Sequence, residues 1–120
     1  MDVSVVIPAL NEEATVAGVV RAARASCADE VIVVDSDSTD STAERARNAG
    51  AKVINWRDIA PDIPVQPGKG EALWRGVRAA QGDIVVFLDA DVTTVSAGWV
   101  DGLVGAFVDK RVHLAKATYT

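Results

Sequence analysis

Three short runs of mostly β-branched residues, each closed by a residue unlike the run, limit what this chain can build. Val3 to Ile7 ends at Pro8, Val31 to Val34 follows Glu30 and stops at Asp35, and Ile84 to Leu88 stops at Asp89. Near-continuous apolar runs of this length read as strands covered on both faces, not as strands with one wet face. Helical spacing fills the gaps between them. Val16, Val19, Val20, Ala23 and Cys27 share one helical face, which puts Cys27 in the core; Asn11, followed by Glu12 and Glu13, suits the start of that helix. Ser41 and Glu44 have capping-box spacing for a helix over 41–49, and Gly50 is its stop. Lys52 to Asn55 reads as a shorter strand. Residues 56–68 hold three prolines and no periodicity, so they form a long loop, usually a functional one at this length. Gly70 opens a helix that buries Leu73, Val77 and Ala80 and ends at Gly82, a further helix covers 97–108, and a last strand begins over Val112 to Tyr119.

Strand and helix therefore alternate four times. That order predicts an α/β fold, a mostly parallel sheet with helices on both faces. Ligands of such sheets bind outside the carboxyl ends of the strands. Pro8 to Glu12, Asp35 to Asp40 and Asp89 to Asp91 all fall there, so the polar residues converge on one sheet edge.

Composition excludes some classes of function. A chain of 120 residues fits one small domain, and its net charge of −5 argues against nucleic acid as a partner. No apolar run reaches the ~20 residues of a membrane span, and no signal peptide precedes the first strand. The single Cys27 cannot close an internal disulfide, which makes a cytoplasmic location the simplest expectation. One histidine, His113, supports no Ser-His-Asp arrangement and reads as structural.

The edge segments carry the chemistry. Asp89 and Asp91 suit a hard cation, Mg²⁺ or Mn²⁺, which takes one or two carboxylates plus phosphate oxygens. One carboxylate can meet the metal while the other reaches a sugar hydroxyl; the plainer alternative is two solvated carboxylates capping the next helix. Gly68-Lys69-Gly70 places a cation and free N–H groups at a helix start, which suits phosphate, although the spacing is not that of a P-loop. In the turn Asp35 to Asp40, either Asp35 or Ser36 can bond a nucleobase edge, and Pro8 to Glu13 can wall a nucleoside pocket. Trp74 and Trp99 are expected to pack, and Trp56 stands where it could cover a ligand.

Together these segments resemble the N-terminal half of GT-A fold nucleotide-sugar glycosyltransferases of the family-2 type. The opening Val3 to Glu13 and the turn Ser38-Thr39-Asp40-Ser41-Thr42 carry the general likeness. Gln66 to Arg75, followed by Gly82-Asp83-Ile84-Val85-Val86-Phe87, is similar to the glucosyl-3-phosphoglycerate synthase family, which transfers glucose from UDP-glucose to 3-phosphoglycerate. That resemblance implies a Rossmann-like sheet and a metal-dependent, retaining glucosyltransferase. By position, it implies that Pro8, Ala9, Leu10 and Glu12 line the uridine pocket, Ser36 meets uracil and Lys69 the nucleotide. Asp89 would lie near the ribose and Asp91 would ligate Mg²⁺ or Mn²⁺. Asp37 departs from the family pattern, which has glycine there, and Ala90 stands where serine is frequent. Such enzymes run to more than twice this length, so residues 1–120 are expected to be the incomplete, nucleotide-sugar-binding part, truncated at its C-terminal side. The acceptor half and the catalytic residues would then lie elsewhere. Two alternatives remain: a non-catalytic nucleotide-binding module whose open sheet edge needs a partner such as a second copy, and a family-2 enzyme with a polyprenyl-phosphate or polysaccharide acceptor.

Overall fold

The structure, a computed structural model, describes residues 2–91 and 114–116. In chain order the elements are β1 (Val3–Ala9), α1 (Val16–Arg24), β2 (Glu30–Asp35), α2 (Thr42–Asn48), β3 (Lys52–Asn55), a 3₁₀ turn (Trp56–Asp58), α3 (Lys69–Ala79), β4 (Ile84–Phe87) and β5 (Leu114–Lys116). The strands form one parallel sheet in the order β3-β2-β1-β4-β5. Alternate residues face opposite sides, so each apolar run feeds two cores. Val5, Ile7, Val31, Val33, Ile84 and Val86 pack with Val16, Val19, Val20 and Ala23 of α1 and Ala46 of α2. Val6, Ile32, Val34, Val85 and Phe87 pack on the other face with Trp56, Ile59 and Ala72. Helices on both faces of a parallel sheet are thus the observed architecture. The helix predicted over 97–108 lies outside the described residues, and of the last strand only 114–116 are described.

Strand order reverses direction at β1, and there the sheet opens. β1 pairs with β2 as far as Ala9 opposite Asp35, but with β4 only as far as Val6 opposite Phe87. Ala9 O accepts from Ser36 N on the β2 side, and Val6 O accepts from Leu88 N on the β4 side. Backbone groups of successive residues alternate sides, so the N–H that Pro8 lacks would face β4 beyond the end of their pairing. Proline therefore does not end β1 as the sequence suggested; it sits inside the strand where no ladder bond is lost.

Several local expectations are corrected. Cys27 lies past the end of α1 and is exposed, because the helix stops at Arg24, one turn too early to carry it into the core. The Ser41–Glu44 capping box does not form: Ser41 makes no side-chain cap bond, and Thr42 N donates instead to Asp40 Oδ1 at 2.9 Å. Asp40 also accepts from the Thr42 hydroxyl, and these bonds, the hydroxyl's first, hold its carboxyl below the usual range. On α3, which begins at Lys69, the buried face is Ala72, Arg75 and Gly76, while Val77 is exposed. The helix ends at Ala79 and not at Gly82, which packs against Ser4.

Candidate nucleotide-binding site

The carboxyl ends of β1, β2 and β4 surround a cavity of about 200 Å³ at the point where strand order reverses. Pro8, Ala9, Leu10, Glu12, Ser36, Trp56, Gly68, Ala72, Ala90 and Asp91 line it. This volume is below the ~300–1,000 Å³ usual for sites that enclose a drug-sized molecule. It suits one part of a larger ligand.

Its first two walls are stitched together. Asn11, held at a φ of 53°, accepts from Thr39 N through Oδ1 at 2.8 Å, and its own N–H donates to Ser38 Oγ at 2.8 Å. Glu12 N donates to Thr42 Oγ1 at 2.8 Å, and Ser41 N to Glu13 Oε2 at 2.9 Å. The residues read as helix starters therefore cross-link two loops, and α1 begins only at Val16. Thr15 Oγ1 ties the third segment in, donating to Ala90 O at 2.6 Å. At the base of the turn Asp35 is buried; Oδ2 accepts from Ser38 N at 3.3 Å, and Oδ1 has no bonding partner among the described residues.

The fourth wall comes from the long loop and α3, and Arg75 holds them together. Its guanidinium is fully buried, paired with Glu71 at 2.8 Å, and donates to the carbonyls of Trp56 at 3.1 Å, Ile63 at 2.8 Å and Ile59. The Trp74 indole first, and then Arg75, hold the Glu71 carboxyl below the usual range. Trp56 consequently faces the cavity with its indole buried. Gly68 caps α3 at a φ of 116°, a conformation that side chains resist. Gly76 has another reason to lack a side chain: a Cβ there would sit 2.3 Å from Val6 Cγ1, so α3 lies against the sheet with no room for a methyl.

Eight of the residues singled out from sequence, Pro8, Ala9, Leu10, Glu12, Ser36, Trp56, Gly68 and Asp91, line this one cavity. Asp89 is half-buried beside it and is not among the lining residues. Lys69 is the first residue of α3, next to Gly68, and its side chain lies outside the described residues. Ala72 lines the cavity without having drawn notice, because alanine carries no chemistry to notice, and Ala90, noted only for standing where serine is frequent, lines it too. Arg75 was hidden too, since a cation rarely marks a core position.

Among the described residues no three His, Cys, Asp or Glu side chains gather to hold a metal. Asp91 is exposed at the cavity, an oxygen donor with Asp89 two residues away. That donor set fits a hard cation shared with phosphate oxygens and water, and not one caged by protein alone.

Residues 4–119 match the family described as Glycosyl transferase family 2. The chain belongs to this family. A glucosyl-3-phosphoglycerate synthase of Mycolicibacterium paratuberculosis is 46% identical to it over 98% of this chain. The chain spans 37% of that relative's length. Two solved structures of the Mycobacterium tuberculosis synthase superpose with a TM-score of 0.84 at 48% identity, over 88% of this chain and 39% of theirs. One holds Mn²⁺, UDP-glucose and phosphoglyceric acid, the other Mg²⁺ and UDP. The family-2 chain described here therefore has the GT-A, Rossmann-like sheet. None of its described helices is long and apolar enough to cross a membrane.

Proposed function

We propose that this chain is the donor-binding part of a UDP-glucose-dependent glucosyltransferase with 3-phosphoglycerate as acceptor. The observation that carries this reading is the cavity at the strand-order reversal, lined by Pro8, Leu10, Ser36 and Asp91 and built on a sheet that matches UDP-glucose-bound structures. In this reading residues 1–120 form the nucleotide-sugar-binding part of the domain, and the setting is cytoplasmic.

Each group then has a task. Pro8, Ala9 and Leu10 give an apolar wall to the nucleoside, and the Ser36 hydroxyl bonds the base edge. Glu12 contributes to the same pocket. The N-terminus of α3, with Lys69, offers positive potential to the diphosphate. Asp89 meets the ribose. Asp91 would hold Mg²⁺ or Mn²⁺, which when bound offsets the charge that grows on the departing diphosphate. Specificity for the base comes from the rigidity of the stitched loops, which hold the pocket's shape before ligand arrives.

Calorimetry with UDP-glucose, with and without Mg²⁺ or Mn²⁺, tests the donor reading. Binding strengthened by the metal is expected, and Asp91→Ala should abolish the metal's effect while the metal-free affinity stays unchanged. A folded chain that binds no UDP-glucose with either metal would reject it. Release of UDP upon addition of 3-phosphoglycerate tests the acceptor separately.

A further inference from the structure

We propose that Asp37 is a positioning residue that fixes Trp56 and so shapes the base-facing wall of the cavity, an inference that rests on the donor-site reading above. Asp37 sits in the turn after β2, beside Ser36, at a φ of 62°. Left-handed backbone is uncommon for any residue but glycine, so this side chain occupies a place where glycine would be free of strain. Its carboxylate spans the gap to the end of β3. Asn55 Nδ2 donates to Oδ1 at 3.1 Å, and Arg57 Nε donates to Oδ2 at 2.8 Å. Asn55 Oδ1 closes the ring by accepting from Arg57 N at 2.9 Å. The two residues gripped are the immediate neighbours of Trp56. One carboxylate thus bonds the side chains that flank the tryptophan on both sides, while Val6, Val34, Ala72 and Phe87 pack in the cluster that buries its indole.

The pair is exposed, with 59% of the Arg57 side chain and 39% of the Asp37 side chain open to solvent. Exposed ion pairs add little to stability. Removing this one also relieves the strained backbone, so the two effects oppose and the melting point should barely move. What remains is geometry. Ser36 and Trp56 line the same cavity, and Asp37 is the link between the turn that carries one and the segment that carries the other. A residue whose loss alters recognition and not stability is a positioning residue. The diphosphate end, at Gly68 and Asp91, has no contact with this clamp among the bonds that define it.

Asp37→Gly and Asp37→Asn test this in the whole chain. UDP and Mg²⁺–pyrophosphate are the probes, titrated by calorimetry, with Trp56→Phe as the control for tryptophan emission. Asp37→Gly should weaken UDP binding roughly three- to tenfold, the change that one hydrogen bond's net worth converts to. Pyrophosphate binding should be unchanged, Asp37→Asn should restore part of the UDP affinity, and the melting point should stay within about 2 °C. Ligand-free emission should differ between wild type and Asp37→Gly, and the difference should vanish when both carry Trp56→Phe. Unchanged UDP affinity, an equal loss for UDP and pyrophosphate, or unchanged emission would each overturn the assignment. If the wild type itself binds neither probe, the donor-site reading has failed and the inference falls with it.

Discussion

Replacing Gly76 with alanine should drive α3 off the sheet. The added methyl would lie 2.3 Å from Val6 Cγ1 and 3.4 Å from Val34 Cγ2. Val6 cannot retreat: it is fully buried on β1, which is held by β2 on one side and β4 on the other. Restoring a carbon–carbon contact of ~3.5 Å requires the helix to lift by about 1.2 Å. Overpacking of this kind costs about 1–3 kcal/mol. Helix propensity works the other way, since alanine in place of glycine stabilises a helix interior by ~1 kcal/mol. The net expectation is a loss of about 1 kcal/mol, or roughly 4–8 °C in Tm for a domain of this size. Urea unfolding followed by circular dichroism measures it, and Val6→Ala supplies the control. Val6→Ala alone should destabilise by opening a void, but the double variant should recover at least about 0.5 kcal/mol relative to the sum of the two. Because α3 brings Gly68 and Ala72 to the cavity, UDP affinity should fall in Gly76→Ala and return in the double variant. Strictly additive losses, or a Gly76→Ala chain more stable than wild type, would refute the steric account.

Arg75→Ala should cost about 3 kcal/mol or more, because it strands buried carbonyls of the 56–63 segment and leaves Glu71 without its cation. Arg75→Lys should recover only part of that loss, since one ammonium cannot reach acceptors spread over so wide an arc; chemical denaturation of the three chains decides it, and a loss below ~1 kcal/mol for alanine would count against Arg75 holding the long loop to α3. Stability should also fall in acid through Glu71. Its carboxyl is held below the ordinary value of 4.5, so its contribution is complete above that pH and is lost as pH falls through the lower folded-state value. Tm measured against pH should decline below about 4.5, and Glu71→Gln should flatten that part of the decline.

The sheet was legible because burial on both faces leaves a simple mark: Val, Ile and Phe without interruption, then a polar stop. Most of the cavity's rim was legible for the same reason, since strand ends in a parallel sheet share one edge. What was misread depends on partners distant in sequence. Asn11 has the chemistry of a helix cap, and that same chemistry closes a loop against Thr39, twenty-eight residues away. Ser41 and Glu44 had the spacing of a box, yet Asp40 reaches the helix end first. On α3 the count of apolar side chains turned the helix toward Val77. The true contact face holds a cation paired with Glu71, bonded to loop carbonyls and laid over the Trp74 ring, and a glycine with no side chain to meet Val6. Neither signals burial to a hydropathy pattern. Asp37 stood out only as a departure from a family glycine, because its partners Asn55 and Arg57 lie eighteen and twenty residues away.

The stitching of the Asn11 and Ser38 loops bears on how such a site can change over generations. Each loop supplies the hydrogen bonds that keep the other in shape, so neither can be exchanged alone. A substitution at Asn11 would remove the acceptor for Thr39 N, and one at Ser38 would remove the acceptor for Asn11 N. The two segments should therefore be inherited, swapped or grafted as a pair. The exposed stretch from Pro61 to Pro64, fastened to the body through the Ile63 carbonyl, makes no such demand on side-chain identity. Novelty in what the domain recognises is thus cheapest there, where the sequence can drift without unpicking the pocket.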